Sequence, residues 1–195
     1  FGLISSGATM VPCSWFPEVA KMCRNNPEID LGVHLTLTSE WESYRWGPIS
    51  TRDPMSGMMD EEGYFYRTSE DAQKFGNQDA VRQEIKIQIE RAFAAGIDVT
   101  HIDTHMGTVG SIKFIPSYIS QAAHFGLPLM IMRLDKNGWM KMGFDENTAE
   151  VASQMVSRLE EQGLPLVDHL FQLELDRAEH PDDRIEYAKM ALGNL

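Results

Sequence analysis

Thr100-His101-Ile102-Asp103-Thr104-His105 brings two histidines and a carboxylate close together. On a helix, His101 and His105 would stand one turn apart on a single face. On a strand, His101, Asp103 and His105 share one face, and Ile102 and Thr104 take the other. The flanks decide for a strand. Ile97, Val99, Thr100 and Ile102 are β-branched, Gly96 precedes them, and Met106-Gly107-Thr108-Val109-Gly110 follows with turn chemistry. A second stretch, Gly32 to Thr38, divides in the same way, with His34, Thr36 and Thr38 on one side and Val33, Leu35 and Leu37 on the other. Histidines near the C-terminal ends of two strands suggest a metal site.

The segments on either side alternate between strand and helix. Leu3 to Val11 reads as a first strand, and Pro17 opens a helix carrying Val19, Ala20 and Cys23. After the His34 strand comes a long irregular stretch, about 39–78, with Trp41, Tyr44, Trp46, Tyr64 and Tyr66 and the breakers Pro48 and Pro54. Asp79 can cap a helix with Val81, Ile85, Ile89 and Phe93 inward, stopped by Gly96. Beyond the His101 strand, Pro116 starts a helix with Ile115, Ile119 and Ala122 inward. Leu129 to Arg133 is an apolar strand of the kind buried on both faces. A helix from about Thr148 to Gln162 presents Val151, Met155 and Leu159; Leu166 to His169 is a fifth strand; Pro181 opens a last helix. This order predicts an α/β fold with parallel strands, either doubly wound or a barrel, in one domain spanning 1–195.

The formal net charge of −12 disfavours nucleic acid and anionic membranes, which select for Lys/Arg patches. No apolar run approaches the roughly 18 residues of a bilayer span, and no leader is visible. Cys13 and Cys23 form no CxxC pair and suit a reducing, cytoplasmic compartment. A neutral small molecule fits as ligand, and a homodimer is allowed.

In parallel α/β folds, sites form at the C-terminal ends of strands, where His34, His105, Arg133 and Asp168 fall. Neutral imidazoles bind Zn²⁺ and similar ions, and such an ion polarises a carbonyl and acidifies water. Asp103 either joins the ligands or orients a histidine N–H from behind. The aromatic stretch, Trp41 and Trp46 among it, suits stacking on sugar rings.

The two histidine motifs together, with Gly2-Leu3-Ile4-Ser5-Ser6, Met10-Val11-Pro12 and Leu127-Pro128 leading to Arg133, resemble the YdjC-type (ChbG/HpnK) carbohydrate deacetylases. The resemblance runs through most of the chain. It implies a TIM-like β/α barrel and hydrolytic removal of acetyl groups from N-acetylated sugars or short chitooligosaccharides. It also implies a divalent cation, Mg²⁺ by family habit and Zn²⁺ or similar by ligand chemistry. The family's metal histidines fall on His34 and His105. Asp103, His101 and Asp168 are then assigned to the catalytic group, and Arg133, Trp41 and Trp46 to the substrate. The family's Asp-Asp-Phe-Gly, with a third ligand, does not precede Phe1, and its late His-Pro strand is absent, His180-Pro181 being a poor substitute. The expectation is a barrel truncated at both ends and a chain that is weak or inactive by itself. Two alternatives remain: a non-catalytic carbohydrate-binding fragment, and a metallo-phosphoesterase on a related barrel, the latter disfavoured by the lack of a Gly-rich phosphate cradle.

Overall fold

The computed structural model describes residues 5–170 and 185–190. The expected strand start at Leu3, the His180-Pro181 pair and the Pro181 helix start lie outside the described residues. Three parallel strands form the sheet in the order β1-β2-β3: β1 Ser6–Thr9, β2 Asp30–Leu35 and β3 Val99–Thr104. Val33, Leu35 and Ile102 are fully buried on one face of this sheet. Helix α3, Gln78–Ala94, packs against β2 and β3 on that side, with α4, Ile115–Phe125, beside it.

The register contains an irregularity that places the histidines. Leu31 pairs with Val99, but Val33 pairs with Ile102, so β3 carries one extra residue at Thr100-His101. Beyond this bulge His34 stands opposite Asp103. Regular alternation would have put Val99 on the histidine face; the bulge lets Val99 and Ile102 both be buried.

The expected fourth and fifth strands join only through single parallel bridges, Ile102 to Leu129 and Met132 to Val167. Among the described residues the array stays open and does not form a closed barrel. The cause is local. Pro128 and Pro165 offer no N–H to a ladder. The Ile131 N–H donates to Leu129 O and the Leu134 N–H to Met132 O, each at 3.1 Å, which curls the segment away from extended pairing. Tyr118 reinforces the junction: its buried hydroxyl donates to Ile102 O at 2.8 Å and accepts from Met130 N at 2.9 Å. Burial pushes this phenol above its ordinary pKa.

Several helices sit differently from expectation. Helix α3 is capped by Asn77, whose Oδ1 accepts from Asp79 N and Ala80 N, so Asp79 lies inside the first turn. Its buried stripe runs Val81, Ile85, Ile89 and Ala92, while Phe93 is partly exposed. At 100° per residue, a step of eleven returns closer to the starting face than a step of twelve. Helix α6, Glu146–Glu161, buries Ala149, Val156 and Leu159 and leaves Val151 exposed. Two short helices were not anticipated, α2 Ser69–Phe75 and α5 Lys136–Lys141. The first lies inside the stretch read as irregular. The second helix of the chain by position, α1 Phe16–Asn25 being the first, is therefore α2.

The excursion after β2 is held to the body by polar groups. Glu84 and Gln88 of α3 are fully buried. The Glu84 carboxylate accepts from Ile49 N at 3.1 Å, Ser50 N at 2.8 Å and Gln88 Nε2 at 2.9 Å. Gln88 in turn accepts from Thr36 N and donates to Thr36 O. Within the excursion, the Arg45 side chain, 5% exposed, donates to Asp60, Glu62 and Phe65 O and stacks over Tyr64. Burial pushes the Asp60 carboxyl up. The Arg45 bond and the Tyr64 and Glu62 N–H groups outweigh it and hold Asp60 below the ordinary carboxylate range. Among the described residues no helix is long and apolar enough to cross a membrane.

Glu84→Ala would strand the Ile49 and Ser50 N–H groups and is expected to destabilise the fold by about 3 kcal/mol. Glu90→Ala on the same helix, which removes only the surface Lys86 pair, should cost less than about 0.5 kcal/mol. Equal shifts in urea midpoint would refute the anchoring role. Because the folded-state pKa of Asp60 is depressed, its stabilisation is complete above the unfolded pKa and is lost as pH falls below about 4 through the folded value. The wild type should therefore lose more stability between pH 5 and pH 3 than Asp60→Asn does.

Candidate active site

Four side chains from four segments meet at the C-terminal end of the sheet. β2 supplies His34, β3 supplies Asp103, the turn after β3 supplies His105, and the start of the excursion supplies Glu40. His34 Nδ1 lies 2.7 Å from Asp103 Oδ1. His105 Nε2 lies 3.0 Å from Glu40 Oε2. The two remaining ring nitrogens, His34 Nε2 and His105 Nδ1, face each other at 3.3 Å. All four side chains are partly open to solvent.

His105 reaches this position because the strand ends one residue before it. It begins a 3-10 turn, 105–110, in which Met106 (φ 53°) and Gly107 (φ 69°) are both left-handed. For a methionine this costs on the order of 1–2 kcal/mol. The surroundings hold it there: Thr38 Oγ1 donates to Met106 Sδ at 3.4 Å and Ser69 Oγ to Met106 O at 3.1 Å. The turn swings the His105 ring edge-on to His34, with centroids 5.2 Å apart at 68°.

The other expected residues are placed as follows. His101 does not join the group. Its Nδ1 bonds to Thr100 Oγ1 at 2.8 Å, and Asp30 is 3.8 Å away. Its ring covers Gly32, where an added Cβ would lie 2.6 Å from the imidazole. His101 and Asp103 do share a cleft of about 410 Å³ with Ser6, Gly7, Met130 and Val167. Asp168 pairs with Arg133 Nη1 at 3.3 Å, and Arg133 Nε also faces Glu160 at 3.4 Å. These groups find one another at the surface and stand outside the histidine cluster. Trp41 is 61% exposed. Trp46 is 6% exposed; its indole N–H donates to Thr38 O at 2.8 Å, and its ring stands 6.4 Å from His105. Trp46 is thus a buried neighbour of His105, and Trp41 is open to solvent.

Glu40 was missed by sequence reasoning, yet a signal was present. The alternation His34, Thr36, Thr38 continues to Glu40 on the same parity. Cys13, in the turn after β1, also senses this carboxylate. Burial first, and then the Glu40 charge, push the thiol up to about 11, so without a cation beside it Cys13 stays a thiol at neutral pH.

Among the described residues, no set of three or more His, Cys, Asp or Glu side chains is arranged to hold a metal ion. The donor chemistry of the pair nonetheless fits two positions of such a site. Two nitrogens bound at 2.0–2.1 Å to one tetrahedral ion stand about 3.4 Å apart, close to the 3.3 Å seen.

The chain resembles proteins of known family. A carbohydrate deacetylase of Thermoanaerobacter pseudethanolicus is 29% identical over 142 residues, which is 73% of this chain and 55% of that protein. A carbohydrate deacetylase of Thermus thermophilus is 36% identical over 136 residues, 69% of this chain and 47% of that one. The chain thus spans about half the length of these relatives. The fold is shared with a crystal structure from Enterococcus faecalis V583, a protein to which cleavage of cellobiose phosphate is ascribed. That match has a TM-score of 0.69 at 23% identity and covers 98% of this chain and 66% of that one. The sequence model of the YdjC-like proteins matches residues 1–192, and the chain belongs to that family.

Proposed function

We propose that the protein is a metal-dependent hydrolase that removes acetyl groups from N-acetylated sugars or short chitooligosaccharides, on a TIM-like barrel. The observation that carries this reading is the convergence of His34 Nε2 and His105 Nδ1, each backed by a carboxylate on its far nitrogen. Metal-binding histidines commonly donate their other N–H to a carboxylate, which fixes the ring and strengthens the ligand. His34 and His105 would hold the ion, with Mg²⁺ by family and Zn²⁺ by donor type as the candidates. A divalent cation there supplies Lewis acidity to an acetamide carbonyl.

The chain's own residues do the rest. Hydrolysis joins water to the carbonyl carbon and breaks the C–N bond. It releases acetate and a free amine, and one proton must reach the nitrogen. Asp103 lines the cleft and bonds His34, and would pass this proton on from the cleft side. Trp41 offers its exposed face to the sugar, and Trp46 shields the back of His105 from water. Asp168 and Arg133, engaged with each other, would bind the outer part of an oligosaccharide.

A second reading is a carbohydrate-binding module without catalysis. It is favoured by the exposed Trp41 ring and by the convergence of two nitrogens, without a third ligand, among the described residues.

Acetate release from di-N-acetylchitobiose with added Mg²⁺ or Zn²⁺ separates the two. The hydrolase reading predicts release that falls at least about 100-fold in His34→Ala and in His105→Ala, the equivalent of several kcal/mol of lost electrostatic stabilisation. An undiminished His105→Ala would rule out this site. Chitobiose binding that is lost in Trp41→Ala, without divalent-metal binding that depends on His34 and His105, would favour the binding module.

A further inference from the structure

We infer that Glu40 is the positioning residue of the site: it holds His105 in the Nε2–H tautomer and thereby turns the Nδ1 lone pair toward His34. This deepens the proposed cation site and rests on that reading.

The argument is one of donors and acceptors. An ionised carboxylate only accepts hydrogen bonds, and a neutral imidazole carries one N–H. The His105 nitrogen that lies 3.0 Å from Glu40 Oε2 is Nε2, so the proton sits there. By the same reasoning, Asp103 places the proton of His34 on Nδ1. Nδ1 of His105 and Nε2 of His34 are then both bare acceptors at 3.3 Å. Two lone pairs at that distance repel unless a cation lies between them. The two carboxylates cannot reach that cation, because each sits behind its ring. Their role is to make the pair of histidines a cation trap instead of a histidine–histidine hydrogen bond.

Glu40 is itself held by its neighbours. Thr38 and Ser39 before it are fully buried. Ser39 N donates to Tyr66 O at 2.8 Å, and Ser39 Oγ accepts from Trp46 N at 3.0 Å and Arg45 Nε at 3.3 Å. The base of the excursion is thus a clamp that delivers one carboxylate to the far side of His105. Ordered carboxylates of this kind are worth 10–100-fold in metal affinity.

The test uses the 195-residue chain, with zinc titration calorimetry and two-bond ¹H–¹⁵N spectra of the histidine rings, recorded metal-free and with Zn²⁺. The wild type should show His105 as the Nε2–H tautomer. Glu40→Ala should mix the tautomers and weaken zinc by about 10–100-fold. Glu40→Gln should keep the tautomer and recover most of the affinity, since its amide oxygen still accepts from Nε2–H. Glu42→Ala, exposed on the same segment, should match the wild type. An unchanged tautomer and unchanged affinity in Glu40→Ala would overturn the inference. So would Glu40→Gln binding as weakly as Glu40→Ala, which a lost charge but not a lost acceptor would produce. A wild type that binds no zinc would overturn the cation reading alone; the metal-free tautomer in Glu40→Ala would still decide the role of Glu40.

Discussion

The hydrogen bond between His34 and Asp103 depends on a single register, and the rest of the site depends on that bond. Parallel strands present opposed residues on a common face. From the Leu31–Val99 pair, regular pairing would set Val33 opposite His101 and His34 opposite Ile102. The polar face of one strand would then meet the apolar face of the other. The extra residue at Thr100-His101 shifts the phase by one and brings His34 to Asp103. Thr100 helps to absorb the bulge, bonding to both Asp30 and the His101 ring. Gly32 makes room for it, since a side chain there would collide with that ring. His101 is therefore best understood as part of the bulge that sets the register, and its place in the motif follows from that.

The second dependence is on the excursion. An excursion that only buried aromatic area would need no particular position. This one is fixed where it leaves the sheet by the Gln88 bonds to Thr36, at its base by Ser39, and further along by Arg45 and by the Glu84 carboxylate that holds Ile49 and Ser50. A buried carboxylate that accepts backbone N–H groups avoids the penalty of isolation because its acceptor capacity is filled. The result is that Glu40 meets His105 on the nitrogen away from His34, with the Trp46 ring 6.4 Å from the His105 ring. The aromatic segment thus builds one wall of the site.

The sequence made the two histidine strands legible because alternation and β-branching agree there, and α1, α3, α4 and α6 were legible from their apolar periodicity. The bulge was written as Val99 and Ile102, two apolar residues three apart in a strand of period two, and was masked by the regular His-x-Asp-x-His pattern. Helix α2 carried a capping signal, Thr68 with Asp71 three residues on, inside a stretch broken by Pro48, Pro54 and several glycines. Helix α5 is short and contains Gly138, which no propensity argument favours. Glu84 and Gln88 lie on the buried face of α3 beside Ile85 and Ile89, where apolar periodicity marks no place for polar side chains. The pairing of Asp168 with Arg133 was out of reach, because the curl at residues 129–134 is a matter of tertiary packing.

X-ray absorption at the zinc edge of the zinc-loaded protein tests the central claim, that His34 and His105 offer two lone pairs to one ion. The account predicts two imidazole nitrogens at about 2.0–2.1 Å, reduced to one in His105→Ala. A zinc shell without imidazole scattering, or one unchanged by His105→Ala, would contradict it.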